Sequence, residues 1–280
     1  MVKIITDSAA DFEPWELQQK QITCIPLTVM FEETEYQENV DLTKAQFYDL
    51  LSQSHTLPKT AQASPEVLLG IFSQAEEIGE EAIYICLSSA LSGTYQSAVM
   101  VQQMVGSDRC YVLDSRNGTG GQRMIVEYAV KLRDEGKTAR EILSALESFR
   151  DRIVLYACMD TLENLYRGGR ISQTVYTVGT LAQIKPIIQV DTAGKVVVPA
   201  KAMGMRKGIE YLCKRLEQQP PDETYPLYVM YTDNRNNAQA LADRFRAMGY
   251  DIPESRIIQV GAAIGTHIGG NAIGMVYVGK

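Results

Sequence analysis

Four short apolar runs, at residues 2–6, 82–87, 110–113 and 153–159, alternate with segments whose apolar residues recur at i, i+3 and i+4. Runs of that length fit buried strands, and the spacing between them fits amphipathic helices. Strand, helix, strand in succession implies a parallel sheet with helices packed on its faces. The helix starts carry their own signals. Thr43 with Gln46 forms a capping box ahead of Phe47, Leu50 and Leu51, and Ser64-Pro65 places a cap and an N1 proline ahead of Val67, Leu68, Ile71 and Phe72. Residues 21–31 followed by 34–37 read instead as a hairpin or edge ribbon.

Beyond residue 155 the pattern changes. Residues 187–190, a Thr192-Ala193-Gly194 turn and residues 195–199 give a hairpin signal. Later strands at 227–232, 256–261 and 272–278 alternate with helices around 207–217 and 238–248. The expected fold is therefore α/β with an N-terminal, Rossmann-like parallel-sheet domain over residues 1–158 and a C-terminal mixed α/β domain over 159–280. A length of 280 residues agrees, at roughly 150 per domain.

Composition narrows the function classes. With 45% apolar and 22% charged residues the chain has an ordinary globular make-up, and a net charge of −7 argues against nucleic acid or an anionic membrane surface as the main partner. No run approaches the roughly 20 apolar residues of a membrane span, so no stable membrane insertion is expected. The start of the chain reads as a strand rather than a signal peptide, which makes the cytoplasm the expected location. Five cysteines without a CxxC pair and only two histidines argue against a disulfide framework or a metal site.

Three strands of the first unit end in small polar residues: Thr6-Asp7-Ser8, Ser88-Ser89-Ala90-Leu91-Ser92-Gly93-Thr94, and Asp114-Ser115 leading to Gly118-Thr119-Gly120-Gly121. In open α/β sheets, ligands bind at the carboxyl ends of the strands. Ser92, Gly93 and Thr94 open a helix, so free N–H groups and two hydroxyls can converge on a small anionic oxygen group. The same residues read equally well as an ordinary cap and turn. There is no GxxxxGK[ST], GxGxxG at a strand end, GxSxG or HExxH. His267 lies among small residues from Gly261 to Gly270, where glycines permit close backbone approach. His55 reads as a solvated helix end. Arg167-Gly168-Gly169-Arg170 is a compact basic motif suited to a phosphate or carboxylate, or to a surface turn.

The ordered set Thr6-Asp7-Ser8, Thr60-Ala61-Gln62-Ala63-Ser64, Leu87-Ser88-Ser89-Ala90-Leu91-Ser92-Gly93-Thr94-Tyr95, Asp114-Ser115, Gly168-Gly169-Arg170-Ile171, Lys185-Pro186-Ile187-Ile188 and Gly265-Thr266-His267-Ile268-Gly269 resembles the DegV family over essentially the whole chain. The resemblance implies a lipid-binding protein, with a long-chain fatty acid such as palmitate, stearate or oleate held between two domains and no catalytic residues or metal of its own. It further implies that a separate ATP-dependent fatty acid kinase subunit phosphorylates the carboxylate to acyl phosphate for phospholipid metabolism. Carried over by position, carboxylate binding falls on Thr60, Ser92, Gly93, Thr94 and His267, and contact with the partner or head group on Arg170. The family's usual TSQPS reads with Ala61 and Ala63 here, and Gly270 replaces a usual proline. The rival expectation is a small-molecule phosphotransferase or hydrolase using Asp7, Ser92 and His267.

Overall fold

The computed structural model describes residues 1–177 and 183–280. In chain order the elements are β1 (Lys3–Asp7), α1 (Pro14–Gln19), β2 (Ile22–Ile25), β3 (Thr28–Phe31), β4 (Thr34–Gln37), α2 (Lys44–Gln53), β5 (Lys59–Ala61), α3 (Pro65–Ile78), β6 (Ala82–Cys86), α4 (Thr94–Val105), β7 (Cys110–Asp114), α5 (Thr119–Asp134), α6 (Ala139–Arg150), β8 (Ile153–Cys158), α7 (Glu163–Arg167), α8 (Gln173–Thr177), β9 (Ile184–Val190), β10 (Val196–Met203), α9 (Gly204–Gln218), β11 (Tyr228–Tyr231), α10 (Arg235–Ala247), β12 (Ile257–Gln259), α11 (Ala262–Ile268) and β13 (Ile273–Val278).

The first sheet has the order β2-β1-β6-β7 with every neighbouring pair parallel, as the alternation of runs and helices requires. Its strands are apolar through their middles because both faces are covered. Ile4, Ile83 and Ile85 point to one core with Met124 and Ile125 of α5, whereas Ile5, Tyr84 and Cys86 point to another with Leu68 and Phe72 of α3 and Ala98 of α4. Both helix-start signals are realised. Thr43 and Gln46 exchange backbone and side-chain hydrogen bonds at the start of α2, and Ser64 Oγ accepts from Val67 N–H at the start of α3.

Two expectations are corrected. The run at 153–159 does not join the parallel sheet. It forms β8, inside a second sheet of order β10-β9-β8-β13-β11-β12, in which only β11 and β12 run parallel. Two successive helices, α5 and α6, carry the chain back before β8, and a strand buried on both faces has the same apolar signature in either sheet. The ribbon expected over 21–37 divides as well. β2 is the parallel edge of the first sheet, while β3 and β4 form a hairpin that pairs with β5 in a small third sheet.

The α5 helix lies between the two large sheets: Met124, Ile125 and Val126 share one core with Ile4 and Ile83 of the first sheet and Leu155, Met230 and Val276 of the second. The second sheet's other face, with Tyr156, Val229 and Met275, packs on Leu212 of α9 and on Leu241 and Phe245 of α10. The tip of the β9–β10 hairpin reaches the first sheet, where Ser88 Oγ donates to the Gly194 carbonyl at 2.8 Å. Gly194 has φ +77°, and a Cβ there would stand 2.2 Å from Ser88 Oγ, so the contact demands glycine.

Candidate functional site

A cavity of about 300 Å³ lies between the two large sheets. β8 and the residue after it show how the sequence shapes it. Alternation along a strand sends Val154, Tyr156 and Cys158 to the α9–α10 side, while Leu155, Ala157 and Met159 face the cavity over roughly 13 Å. Leu27 and Leu87 from the N-terminal half, Ile188, Val190 and Val196 from the hairpin, and Ala263 and Ile264 from α11 complete an apolar wall.

The uncommitted polar groups gather at one end. β5 brings Thr60, the loop after β6 brings Ser92 and Gly93, the turn after α7 brings Arg170, and α11 brings His267. Thr60 Oγ1 and His267 Nε2 are 2.9 Å apart. Nδ1 of His267 is buried without a partner among the described residues, and a Cβ on Gly168 would lie 2.4 Å from it. The ring is therefore wedged between Gly168 and Thr60. Burial pushes its pKa down to about 4, and the nearby Arg170 acts in the same direction, so the imidazole is neutral at pH 7. A proton on Nδ1 would be buried unpaired, which selects the Nε2–H tautomer donating to Thr60. The Thr60 hydroxyl is then left to donate into the cavity.

Ser92 Oγ accepts from Thr94 N–H at 3.2 Å and lies 2.9 Å from Thr94 Oγ1. Thr94 is buried, receives Ala63 N–H and does not line the cavity, so it braces Ser92 from behind. Arg170 donates from Nε to the Leu91 carbonyl at 2.9 Å and from Nη1 to Gly168 O. Among the described residues it has no carboxylate partner, and burial lowers its pKa. Arg167, by contrast, pairs with Glu163 at 2.8 Å on the surface. Gly93, Ala61 and Gln62 are exposed, so this polar end is also the mouth. The remaining cavity-lining hydroxyls are engaged elsewhere: Thr119 donates to Asp11, Thr232 to Asp233, and Tyr231 accepts from Arg235.

Asp7 does not reach this cavity. Its carboxylate is fully buried and accepts from Leu87 and Ala9 N–H, Gln122 Nε2 and Tyr84 OH; burial raises its pKa. Ser92 pairs with Thr94 and His267 with Thr60, so Asp7, Ser92 and His267 are not assembled as nucleophile and base. The glycine at 270 also has a reason: a Cβ there would press on Asp233 Oδ2 at 2.8 Å.

Two buried carboxylates that the sequence did not reveal hold the start of α11. Asp11 Oδ1 accepts from Gly261 N–H at 2.8 Å, and Glu38 accepts from Ala263 N–H at 3.3 Å and from Ser8 Oγ at 2.6 Å. Gly261 is the only residue type that fits there, since a Cβ would stand 2.1 Å from Glu38 Oε1. Asp11 and Glu38 lie 27 positions apart in sequence with no shared motif, and only the glycine-rich stretch around Gly261 hints at such a close approach.

The α/β body thus carries a largely apolar pocket that opens at the mouth where Thr60, Ser92, His267 and Arg170 gather. The chain belongs to the DegV family, whose description, "Uncharacterised protein, DegV family", matches residues 1–280. It is 31% identical over 285 residues to a DegV domain-containing protein of Clostridium perfringens, covering 99% of this chain and 97% of that one. With a counterpart from Caldanaerobacter subterraneus it shares 32% over 282 residues, covering 100% and 99%. Among solved structures, a DegV family protein of Thermus thermophilus described by its fatty acid binding matches with a TM-score of 0.89 at 26% identity, covering 100% of this chain and 99% of that one. DegV of Bacillus subtilis, described as a fatty acid binding protein, matches with a TM-score of 0.84 at 28% identity, covering 100% and 99%.

Proposed function

We propose that this protein holds a long-chain fatty acid, such as palmitate, stearate or oleate, with its tail in the cavity and its carboxylate at Thr60, Ser92, Gly93 and His267, next to Arg170. The observation that carries the reading is the segregation of the cavity: among the described residues, apolar side chains over its depth and uncommitted hydroxyl and guanidinium donors only at the exposed end. Fatty acid binding by the Thermus and Bacillus relatives supports it. Each methylene removed from water contributes about 0.8 kcal/mol, so a tail of about 15 carbons offers on the order of 12 kcal/mol before the cost of immobilisation. A hydrogen bond to the charged head adds roughly 1.5 to 3 kcal/mol. The tail sets affinity and the head contacts set orientation.

The neutral His267 acts through Thr60, directing that hydroxyl at one carboxylate oxygen. The other oxygen faces the mouth formed by Gly93 and Gln62. In the finer reading, a separate ATP-dependent kinase in the cytoplasm works there: a carboxylate oxygen attacks the γ-phosphorus, ADP leaves, and an acyl phosphate remains in the pocket. The test of the binding reading is extraction of the protein purified from cells, followed by mass spectrometry of the extract. Near-stoichiometric fatty acid is expected; an empty protein that also takes up neither oleate nor palmitate overturns it. The kinase step is tested with the Ser92→Ala variant, which should slow acyl-phosphate formation by a partner kinase at least tenfold while lipid retention changes little. Equal loss of both would refute the division between head and tail.

A further inference from the structure

Strand register puts one row of side chains across the inner face of the second sheet: Ile188 of β9 opposite Ala157 of β8, Ala157 opposite Gly274 of β13, and Gly274 opposite Met230 of β11. All four line the cavity. The middle two have the smallest side chains of the row, so they open a lateral groove running from β8 toward β11. In the other direction the wall is Ile188, Val190 and Val196, branched side chains with stiff χ1 angles. The groove ends at Met230.

The surroundings of Met230 are built for this end. Gly274 sits inside an otherwise apolar strand, where glycine weakens the sheet. A Cβ there would stand 3.0 Å from Met230 Cε and 3.1 Å from Ala157 Cβ, filling the groove. From the α5 side, Gly120 leaves room for the sulfur, since its Cβ would be 2.8 Å from Sδ. Thr119 takes φ +46°, a left-handed conformation uncommon for a β-branched residue, and its hydroxyl lies 3.6 Å from Met230 Sδ while it also bonds Asp11. Met230 is thus a flexible, unbranched side chain that lines the cavity with its sulfur beside Thr119 and its methyl end over Gly274.

We infer that Met230 is the end-stop of the acyl tail and sets the chain length this protein prefers, the tail turning along the Ala157–Gly274 groove. The inference rests on the fatty-acid reading above. Met230→Ala removes three heavy atoms, room for about two methylenes. With each methylene worth about fourfold, the preference for stearate over palmitate should rise roughly fifteenfold. Met230→Leu, nearly equal in volume, should keep the original preference. The measurement equilibrates each lipid-stripped protein with an equimolar mixture of saturated C14, C16, C18 and C20 acids and reads the bound species by native mass spectrometry. Bound lipid with the same length profile in Met230→Ala as in the unaltered protein overturns the inference, as does an equal shift in Met230→Leu. Failure of the unaltered protein to take up any of the four acids overturns the fatty-acid reading instead. Met230→Val, a residue suited to a strand, carries the same expectation in smaller degree should the alanine variant not fold.

Discussion

The Gly168→Ala substitution adds one methyl group outside the cavity and is expected to disable the head-group site. Gly168 has φ −73°, so alanine brings no backbone strain and its whole effect is contact. The new Cβ would stand 2.4 Å from Nδ1 of His267 and 3.0 Å from the Asn164 carbonyl, against an ordinary contact of 3.4 Å or more. The ring cannot relieve this by sliding away, because Thr60 Oγ1 is 2.9 Å from Nε2 on the opposite side. Either the imidazole swings out or the turn carrying Arg170 retreats, and in both cases Thr60 loses its fixed orientation. A hydrogen bond to a charged group contributes about 1.5 to 3 kcal/mol, so fatty acid affinity should fall about 10- to 150-fold while the tail still holds enough lipid for the variant to purify loaded. Displacement of a fluorescent fatty acid at pH 7 measures the loss. Nitrogen-15 NMR supplies the structural check, since there are two histidines and exposed His55 serves as the internal reference. Affinity within twofold of the unaltered protein, together with an unmoved His267 signal, would refute the wedge.

Two further outcomes are expected. Burial raises the pKa of Asp11 to about 6 and that of Glu38 to about 7, with Asp11 adding to the shift at Glu38 and Lys44 opposing both, above unfolded values of 3.8 and 4.5. Raised folded-state values mean that the folded protein takes up protons first, so this pair's contribution to stability is lowest above pH 7. It improves as pH falls through about 7 to about 6 and levels off below the unfolded values. Melting temperature against pH should show that rise, and Asp11→Asn with Glu38→Gln should flatten it; an unchanged slope would show that the pair does not titrate there. Asp222, held down at about 2 by Arg152, acts oppositely and in a separate window, its stabilisation fading only as pH falls from about 4 toward 2. An Arg152→Ala variant should therefore lose part of its acid sensitivity below pH 4 and none of the rise between 7 and 6.

What could be read from the chain, and what could not, follows from how locally each feature is encoded. β1, β6 and β7 are legible because a strand covered on both faces needs an unbroken apolar run, and the starts of α2 and α3 because their caps lie within three residues of each other. The partner sheet of β8 is not legible, since its run at 153–159 carries the same signature in a parallel or antiparallel setting. At the site, Ser92 and His267 stand out because small residues surround them. The brace by Thr94 lies two residues from Ser92, whereas the wedge at Gly168 and the clamp by Asp11 and Glu38 depend on approaches between distant segments that no local pattern marks. Met230 is the extreme case: in sequence it is one apolar residue in a strand, and only the register with Gly274 and Ala157 gives it a distinct place.

The cavity also bears on the fold itself. It is lined by the same strands whose other residues form the shared core around α5. In a sealed core an apolar void costs about 24 cal/mol per Å³, so roughly 7 kcal/mol is the upper limit for 300 Å³, and the open mouth keeps the cost of this pocket below it. Water entering at the polar mouth finds hydrogen-bond partners there and, among the described residues, none along the apolar depth. A ligand that fills its apolar depth extends the packing of the protein's own interior, and by binding only the folded chain it raises stability as its concentration rises above its dissociation constant.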